Sequence, residues 1–446
     1  MELPQLLLDS LEGTCGYNRA CFLRRHEENE SLSSIRLNPS KKADIPYEKT
    51  PVPWCRSGFY LKDRPSFTFD PLFHAGAYYV QEASSMLLEQ AFLQLTDREK
   101  AICALDLCAA PGGKATHLQS LLPQGSFLVA NEVIRSRNLI LRDNLVRWGT
   151  TEAVVTQNDP EHFRKLPDFF DWITVDAPCS GSGLFRKDPE AISQWSPSNV
   201  KLCAERQQRI LAAAWEALKP GGILFYATCS YSYQEDEEVV QWMVKTQGAI
   251  VRTLELDPSW GVTASTEGYR CWPDQMKGEG FYFCCLQKPA ADTPADRKNR
   301  SGSLVFLSEK EKSKLIPWAT VNDYAVFSLE KTWFAFPQKM TALLQLIREQ
   351  LYVVYAGVRL GEWMRDKLVP DHALAMSPLL SSTVVRSELT KEDAICFLQR
   401  RELAVSWDEK GWRVLCYKGL PLGWVNVIPG RINNYYPKEL RILKDH

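Results

Sequence analysis

The 446-residue sequence predicts an α/β protein: a parallel sheet covered on both faces, with smaller units before and after it. Three observations carry this. From about Tyr78 to Leu286, apolar strand-like runs alternate with helix-like stretches. The first strand of that alternation runs into a Gly-rich turn, Pro111-Gly112-Gly113, that opens a helix. After Lys288 to Ser303, rich in Pro, Ala, Asp, Arg, Lys and Ser with little to bury, the alternation stops.

Taken in order, Leu3 to Leu11 reads as a short helix, followed by the basic cluster Arg24-Arg25-His26. Ser34-Ile35-Arg36-Leu37-Asn38 reads as a strand running into Pro39, and Pro46, Pro51, Pro53, Pro65 and Pro71 punctuate an irregular stretch. Glu82–Leu95 reads as a helix with Ala83, Met86, Leu87 and Phe92 inward. Strands follow at Ala101–Leu107, Phe127–Ala130, Ala153–Thr156, Trp172–Val175, Ile223–Ala227 and Phe281–Leu286. Helices fall at Ala115–Leu122, Ile134–Trp148, Asn199–Leu218, ended by Lys219-Pro220-Gly221-Gly222, and Gln234–Thr246. Beyond the linker come β-like runs at Tyr324–Leu329, Trp333–Phe336 and Tyr352–Val358. A last small unit has a helix at Lys391–Gln399 and strands at Trp412–Tyr417 and Trp424–Ile428. The expected division is 1–72, 73–288, a linker at 289–303, 304–385 and 386–446.

Composition narrows the class. With 45% hydrophobic and 24% charged residues, the chain is neither disordered nor fibrous. No run approaches the roughly 18 apolar residues of a membrane span. Met1-Glu2-Leu3-Pro4 lacks a basic start and Leu6-Leu7-Leu8 breaks at Asp9, so no secretory signal is expected. Thirteen cysteines, an odd number without any Cys-x-x-Cys pair, suit a reducing cytoplasm and argue against structural zinc; no metal is expected. The formal charge of −1 weakens a nucleic-acid reading unless basic surface is local.

The chemistry concentrates at the ends of the alternating strands. Leu105-Asp106-Leu107-Cys108-Ala109-Ala110-Pro111-Gly112-Gly113-Lys114 joins the first strand to its helix. It is not a dinucleotide fingerprint, having no Gly-x-Gly-x-x-Gly. Nor is it a P-loop, because Cys108 and Ala115 stand where Gly and Ser or Thr are required. The second strand ends at Asn131-Glu132, twenty residues past Gly112, a separation that suits a carboxylate on ribose hydroxyls. Asp159 follows the third strand, placed for an adenine amino group, and Asp176 ends the fourth. Any one turn acid favours a solvated reading; four such positions at successive strand ends favour a ligand. Cys179, in Asp176-Ala177-Pro178-Cys179-Ser180-Gly181-Ser182-Gly183, and Cys229, in Ala227-Thr228-Cys229-Ser230, end neighbouring strands in polar loops where a thiolate can be activated.

These three motifs together resemble the Sun/Fmu family of RNA cytosine-5 methyltransferases. The resemblance extends upstream to Ser34–Asn38 and Gly76–Ser85, and downstream to Gly419–Trp424 and Asn433–Lys438. The tail, with Leu351–Met376, is similar to the RsmF branch, which acts on small-subunit ribosomal RNA. One departure is Lys114-Ala115-Thr116 where the family continues Lys-Thr. The resemblance implies a Rossmann-like S-adenosylmethionine-dependent methyltransferase core, a small N-terminal RNA-recognition module, and C-terminal α+β domains that include a PUA-like unit. It implies S-adenosylmethionine as cofactor, bound by Cys108, Ala109, Ala110, Pro111, Gly112, Gly113, Lys114, Glu132, Asp159 and Asp176. Lys114 would face the donor's carboxylate. Arg137 is a further cofactor-side candidate, against a solvated helix face for it and Arg142. Cys229 would be the nucleophile, Cys179 would assist release, and Asp176 would hold the cytosine amino group and ring nitrogen 3.

The expected partner is 16S ribosomal RNA or a small-subunit particle, with the protein a monomer and no membrane involved. From Gly411 to His446 six basic residues face two acidic ones. Trp412, Tyr417, Trp424, Tyr435 and Tyr436 interleave with them, so this tail is expected to touch RNA. Two competing classes are an assembly factor without catalysis, against which the intact cysteines and glycine turn argue, and a DNA cytosine-5 methyltransferase. The latter class uses a Pro-Cys motif like Pro178-Cys179 but lacks Thr228-Cys229.

Overall fold

The computed structural model describes residues 2–28, 32–290, 304–365, 367–405 and 407–444. The alternating segment forms a 10-stranded sheet. Its centre is a run of parallel strands in the spatial order Ala153–Thr156, Phe127–Asn131, Cys103–Asp106, Phe170–Asp176, Leu218–Thr228. The winding direction therefore reverses between Cys103–Asp106 and Phe170–Asp176, and a crevice opens at their carboxyl ends. Successive residues of one strand serve opposite layers. Leu105 packs with Leu211, Ala214 and Val240, whereas Ala104 packs with Leu88, Phe92 and Leu118. That burial on both faces is why these strands are mostly apolar.

Several elements differ from the sequence reading. The helix expected over 82–95 is a 3-10 turn at Ser84–Leu87 followed by a helix at Leu88–Leu95, with all four expected apolar positions buried. The long helix Pro197–Ala217 passes directly into a strand that starts at Leu218, before the expected Ile223. Antiparallel strands Ile250–Arg252, Val262–Ala264 and Tyr269–Cys271, absent from the sequence reading, extend the sheet beyond Phe281–Gln287. The expected linker lies, over 291–303, outside the described residues.

The boundary expected at residue 72 cuts a sheet. Ser33–Leu37 pairs with Gly58–Leu61 on one side and with Tyr78–Val80 on the other. The chain returns because Asp70 caps the short helix Pro71–His74 and accepts the hydroxyls of Tyr47 and Tyr78. The N-terminal sheet is also keyed to the core. Arg36, fully buried, donates to Gln81 Oε1 at 2.9 Å and Thr116 Oγ1 at 2.7 Å, and its guanidinium lies 4.6 Å from the Trp148 ring. Arg36→Met is expected to lower the unfolding free energy by about 3 kcal/mol, because buried acceptors lose a charged donor. Urea denaturation would read this as a lower midpoint at constant m value.

A second link joins Cys55, Glu89 and His117, whose ligand-type atoms lie within 4.8 Å of one another. These groups bond directly to one another. The Cys55 thiol and the His117 Nε2–H each reach Glu89 Oε2 at 3.1 Å, and Arg56 N–H donates to the other oxygen. Burial, reinforced by Arg36, holds His117 down to about 4, so it is neutral.

The segment 304–385 is not the separate unit the sequence suggested. Its four-stranded sheet (Tyr324–Leu329, Thr332–Pro337, Val358–Met364, Lys367–Pro370) stands beside the core. Val353–Ala356, however, pairs antiparallel with Ala153–Thr156 and closes that edge of the large sheet. The run read as one strand over 352–358 breaks at Gly357, where φ is +63° and a Cβ would meet the Ala335 carbonyl oxygen at 2.1 Å. That glycine turns the chain from one sheet into the other.

The tail forms a sheet ordered Arg386–Glu388, Gly411–Tyr417, Leu420–Ile428, Arg431–Asn434, with the helix Lys391–Leu398 on it. Trp424 and Tyr436 are core residues here, and Arg413 is buried and donates to Ser387. The aromatic-and-basic pattern is thus partly a strand's inward face. Tyr435, Lys418, Arg431, Lys438, Arg441 and Lys444 remain exposed. Asp445 and His446 lie outside the described residues. Among the described residues no helix is long and apolar enough to cross a membrane.

Candidate active site

The crevice at the switch point collects the motifs. Gly112 has φ +117°, a backbone that needs glycine, and stands at the start of the helix Gly113–Leu121, which no side chain caps. The neighbouring helix holds the turn: Arg137 Nη2 donates to the Ala110 carbonyl at 2.8 Å and Asn144 Nδ2 to that of Pro111 at 2.7 Å. Asn131 ties the adjoining strand ends together. Its Nδ2 donates to the carbonyls of Leu107 and Asn158, while its Oδ1 accepts from Thr156 and the Asn158 N–H.

Beside this turn lies a cavity of about 170 Å³, lined by Asp106, Cys108, Ala109, Ala110, Pro111, Gly113, Lys114 and Asp176, and by Tyr79 and Gln81 from the N-terminal sheet. Lys114 follows Gly113 in the first turn of the helix Gly113–Leu121. Its Nζ donates to Asp176 Oδ2 at 2.7 Å and lies 5.2 Å from the Phe281 ring. Asp106, which sequence reasoning passed over as part of a strand, is fully buried, and neither of its oxygens has a hydrogen-bond partner among the described residues. Burial pushes its carboxyl up to about 8, opposed by Lys114 and reinforced by Asp176 and Glu132. An unpartnered buried carboxyl is costly unless a ligand completes it. The uncapped helix start and the buried acid fit a ligand bearing both a carboxylate and an amino group.

The remaining candidates lie along the strand ends. Glu132 is buried; one oxygen accepts the Ile134 N–H at 2.8 Å, and the other lies 3.5 Å from Arg137 Nη1. Arg137, exposed on its helix, therefore braces both Glu132 and the glycine turn. Arg142 is likewise engaged, with Asp143 at 2.7 Å. Asp159 caps the 3-10 turn Pro160–Lys165 through the Glu161 N–H and pairs with Arg209 at 2.9 Å. Its carboxylate thus has local partners that the sequence did not suggest.

The two cysteines meet. Cys179 Sγ and Cys229 Sγ are 2.9 Å apart, although 50 residues separate them in sequence. Contact with Cys229, burial and the nearby Glu235 carboxylate hold the Cys179 thiol well above its ordinary value. The loops are zipped together: Gly183 N–H donates to the Cys229 carbonyl at 2.9 Å and Tyr231 N–H to Ser182 Oγ at 2.9 Å. A Cβ on Gly183 would sit 2.8 Å from that carbonyl oxygen, so the approach requires glycine.

A doubly wound sheet with this turn and these strand-end residues defines a Rossmann-like methyltransferase. Comparison with known proteins agrees. The family described as 16S rRNA methyltransferase RsmB/F matches residues 91–287, the RsmF N-terminal domain matches 3–83, and the methyltransferase RsmF PUA domain matches 385–442. Ribosomal RNA small subunit methyltransferase F of Aliivibrio fischeri is 31% identical over 430 residues, covering 92% of this chain and 90% of its own. That of Aeromonas hydrophila is also 31% identical, covering 98% and 94%. A methyltransferase homolog protein from Pyrococcus horikoshii superposes with a TM-score of 0.51 at 29% identity, covering 64% of this chain and 100% of that one. NSun6 from Pyrococcus horikoshii, with a TM-score of 0.55 at 19% identity, covers 64% of this chain and 98% of its own and shares the fold. The chain belongs to the 16S rRNA methyltransferase RsmF family.

Proposed function

We propose that this protein is an S-adenosylmethionine-dependent methyltransferase that makes 5-methylcytidine in 16S ribosomal RNA through a covalent bond between Cys229 and cytosine. The observation that carries this reading is the pair of thiols 2.9 Å apart beside a crevice that holds an unpartnered buried carboxyl. The donor's amino-acid end would lie against Asp106 and the start of the Gly113–Leu121 helix, its ribose by Glu132 and its adenine by Asp159. When bound, S-adenosylmethionine supplies an electrophilic methyl group.

Carbon 5 of cytosine is a weak nucleophile, and the protein's residues change that. The Cys229 thiolate forms a bond to carbon 6, and the ring's 5,6 electron pair becomes an enamine that makes carbon 5 nucleophilic. Asp176, with Lys114 bonded to it, would hold the ring's amino group and nitrogen 3 while charge develops. After methylation carbon 5 must lose its proton. Bonding of Cys229 to carbon 6 removes the contact that holds Cys179 protonated. Cys179, having given its own proton to solvent, takes the one from carbon 5 as base, the 5,6 double bond reforms, and the Cys229 sulfur leaves with its electron pair. A target base must be out of its helix for this, so RNA is presented from a loop or an opened stem. Bisulfite mapping of 16S RNA from cells with and without the protein tests the reading. A cytosine protected only when the protein is present supports it, and identical maps contradict it.

The tail is proposed to hold RNA. A cavity of about 1020 Å³ there is lined by Arg400, Arg431, Tyr435 and Lys438 among others. Deleting 386–446 is a poor test, because Trp424 packs with Leu374 and Phe397 with Ala75 outside the tail. Arg431→Gln with Lys438→Gln removes two exposed charges instead. The slope of log affinity against log salt is expected to fall by about 1.5, since each phosphate contact contributes about 0.7–0.9. An unchanged slope would remove this face from the RNA path.

A further inference from the structure

We propose that Glu235 is a positioning residue that clamps the two cysteine loops in register and so sets the distance between the reacting thiols. This rests on the reading of Cys229 and Cys179 as those thiols. Glu235 is fully buried in the 3-10 turn Tyr233–Glu235. Its Oε1 accepts the Ser180 N–H at 2.7 Å and Gln207 Nε2 at 3.3 Å. Its Oε2 accepts the Ser180 hydroxyl at 2.5 Å and the Ser230 hydroxyl at 2.7 Å. Ser180 and Ser230 are the residues that immediately follow Cys179 and Cys229. One carboxylate therefore bridges the two loops at the same point relative to each cysteine.

The other side of each cysteine is held as well. Gln207 donates to the carbonyl of Pro178, just before Cys179, at 3.1 Å. Thr228, just before Cys229, donates to Asp236 Oδ1 at 2.6 Å, and Arg270 lies 3.2 Å from the other oxygen of Asp236. The Glu235 backbone is fixed in turn, because the Tyr226 hydroxyl donates to its carbonyl at 2.5 Å. Four donors on two oxygens require a carboxylate; an amide offers one acceptor oxygen and would keep only part of the set. The hydrogen bonds of this carboxylate go to the serine beside each cysteine and to the glutamine that brackets Cys179. Its loss should therefore appear first in thiol geometry, where about 1 Å of misplacement costs about 100-fold in rate.

The test uses two readouts on the full chain, for Glu235→Ala and Glu235→Gln. The first is bridging by dibromobimane, which becomes fluorescent when both of its arms have alkylated neighbouring thiols; the signal lost in Cys179→Ser reports this pair. The second is methyl transfer to 16S RNA. Glu235→Ala is expected to lose the bridging signal and about 100-fold in kcat, with KM for RNA changed by less than about threefold. Glu235→Gln is expected to recover at least about tenfold of that loss. A folded Glu235→Ala that bridges and turns over like the native protein overturns the clamp and leaves the proposed function standing. Bridging lost in Glu235→Ala, in a protein whose native form methylates no cytosine, upholds the clamp and removes the proposed function. If Glu235→Ala does not fold, Ser180→Ala with Ser230→Ala removes the two hydroxyl bridges and takes the same readouts: loss of bridging supports the clamp, and native bridging overturns it.

Discussion

Asp106→Asn is expected to weaken donor binding by about 3 kcal/mol, more than 100-fold, while making the ligand-free protein more stable. The affinity loss follows from removing the buried acceptor that the donor's ammonium would meet. The stability gain follows from linkage. An unfolded Asp titrates near 4, whereas burial pushes the Asp106 carboxyl up to about 8. The unfolded chain therefore gives up its proton first, and the folded state loses stability as pH rises from about 4 to about 8. At pH 8 and above Asn escapes that penalty, on the order of 3–5 kcal/mol. Below pH 8 the native free protein holds Asp106 protonated, so donor binding must release that proton. Calorimetry should find affinity rising up to about tenfold per pH unit toward pH 8 and falling above it, as the donor's α-amino group, which titrates near 8, loses its proton. In Asp106→Asn the rise below pH 8 should be absent. A donor affinity unchanged by the substitution would take Asp106 out of the site.

Separating the two cysteines gives the other large effect. Cys229→Ala is expected to lose methyl transfer by more than about 1000-fold and to form no covalent RNA complex, because attack on carbon 6 never occurs. Cys179→Ala should still attack and methylate, but without the base that removes the carbon 5 proton the complex should persist. A protein–RNA band stable on a denaturing gel is then expected for Cys179→Ala and for neither Cys229→Ala nor the double variant. An adduct in Cys229→Ala alone would reverse the roles, and two stable, adduct-free single variants would make both cysteines packing residues.

The parts of this site that were legible in sequence are those whose motif sits where a strand ends. Cys179 and Cys229 each follow an apolar run, and parallel neighbours align their carboxyl ends, so two loops 50 residues apart had to meet. Gly112 was legible because a strand-to-helix turn demands a left-handed residue. Asp106 was not: one acid at the end of Ala101–Leu107 reads as strand, and only the structure shows that nothing bonds to it. Glu235, Asp236 and Glu237 read as the charged start of a helix, yet all three are buried, each bound to a loop or to Arg270. Local pattern cannot report such tertiary partners. The same holds for Val353–Ala356, which finds its partner across about two hundred residues. In the tail, aromatic residues among basic ones suggested a nucleic-acid surface. Trp424 and Tyr436 are instead core residues, and the basic residues that stay exposed lie mainly in turns and at the end of the chain.

The central claim is that Cys229 bonds to cytosine. It is tested most directly by trapping the native protein on RNA that carries 5-fluorocytidine. Carbon 5 then bears fluorine, which cannot leave as a proton does, so the covalent complex is arrested after methylation with both cysteines still available. Proteolysis and mass spectrometry of the trapped complex should place a methylated fluorocytidine on the peptide containing Cys229. Attachment to the peptide containing Cys179, or no covalent complex from a protein that methylates unmodified RNA, would contradict the account.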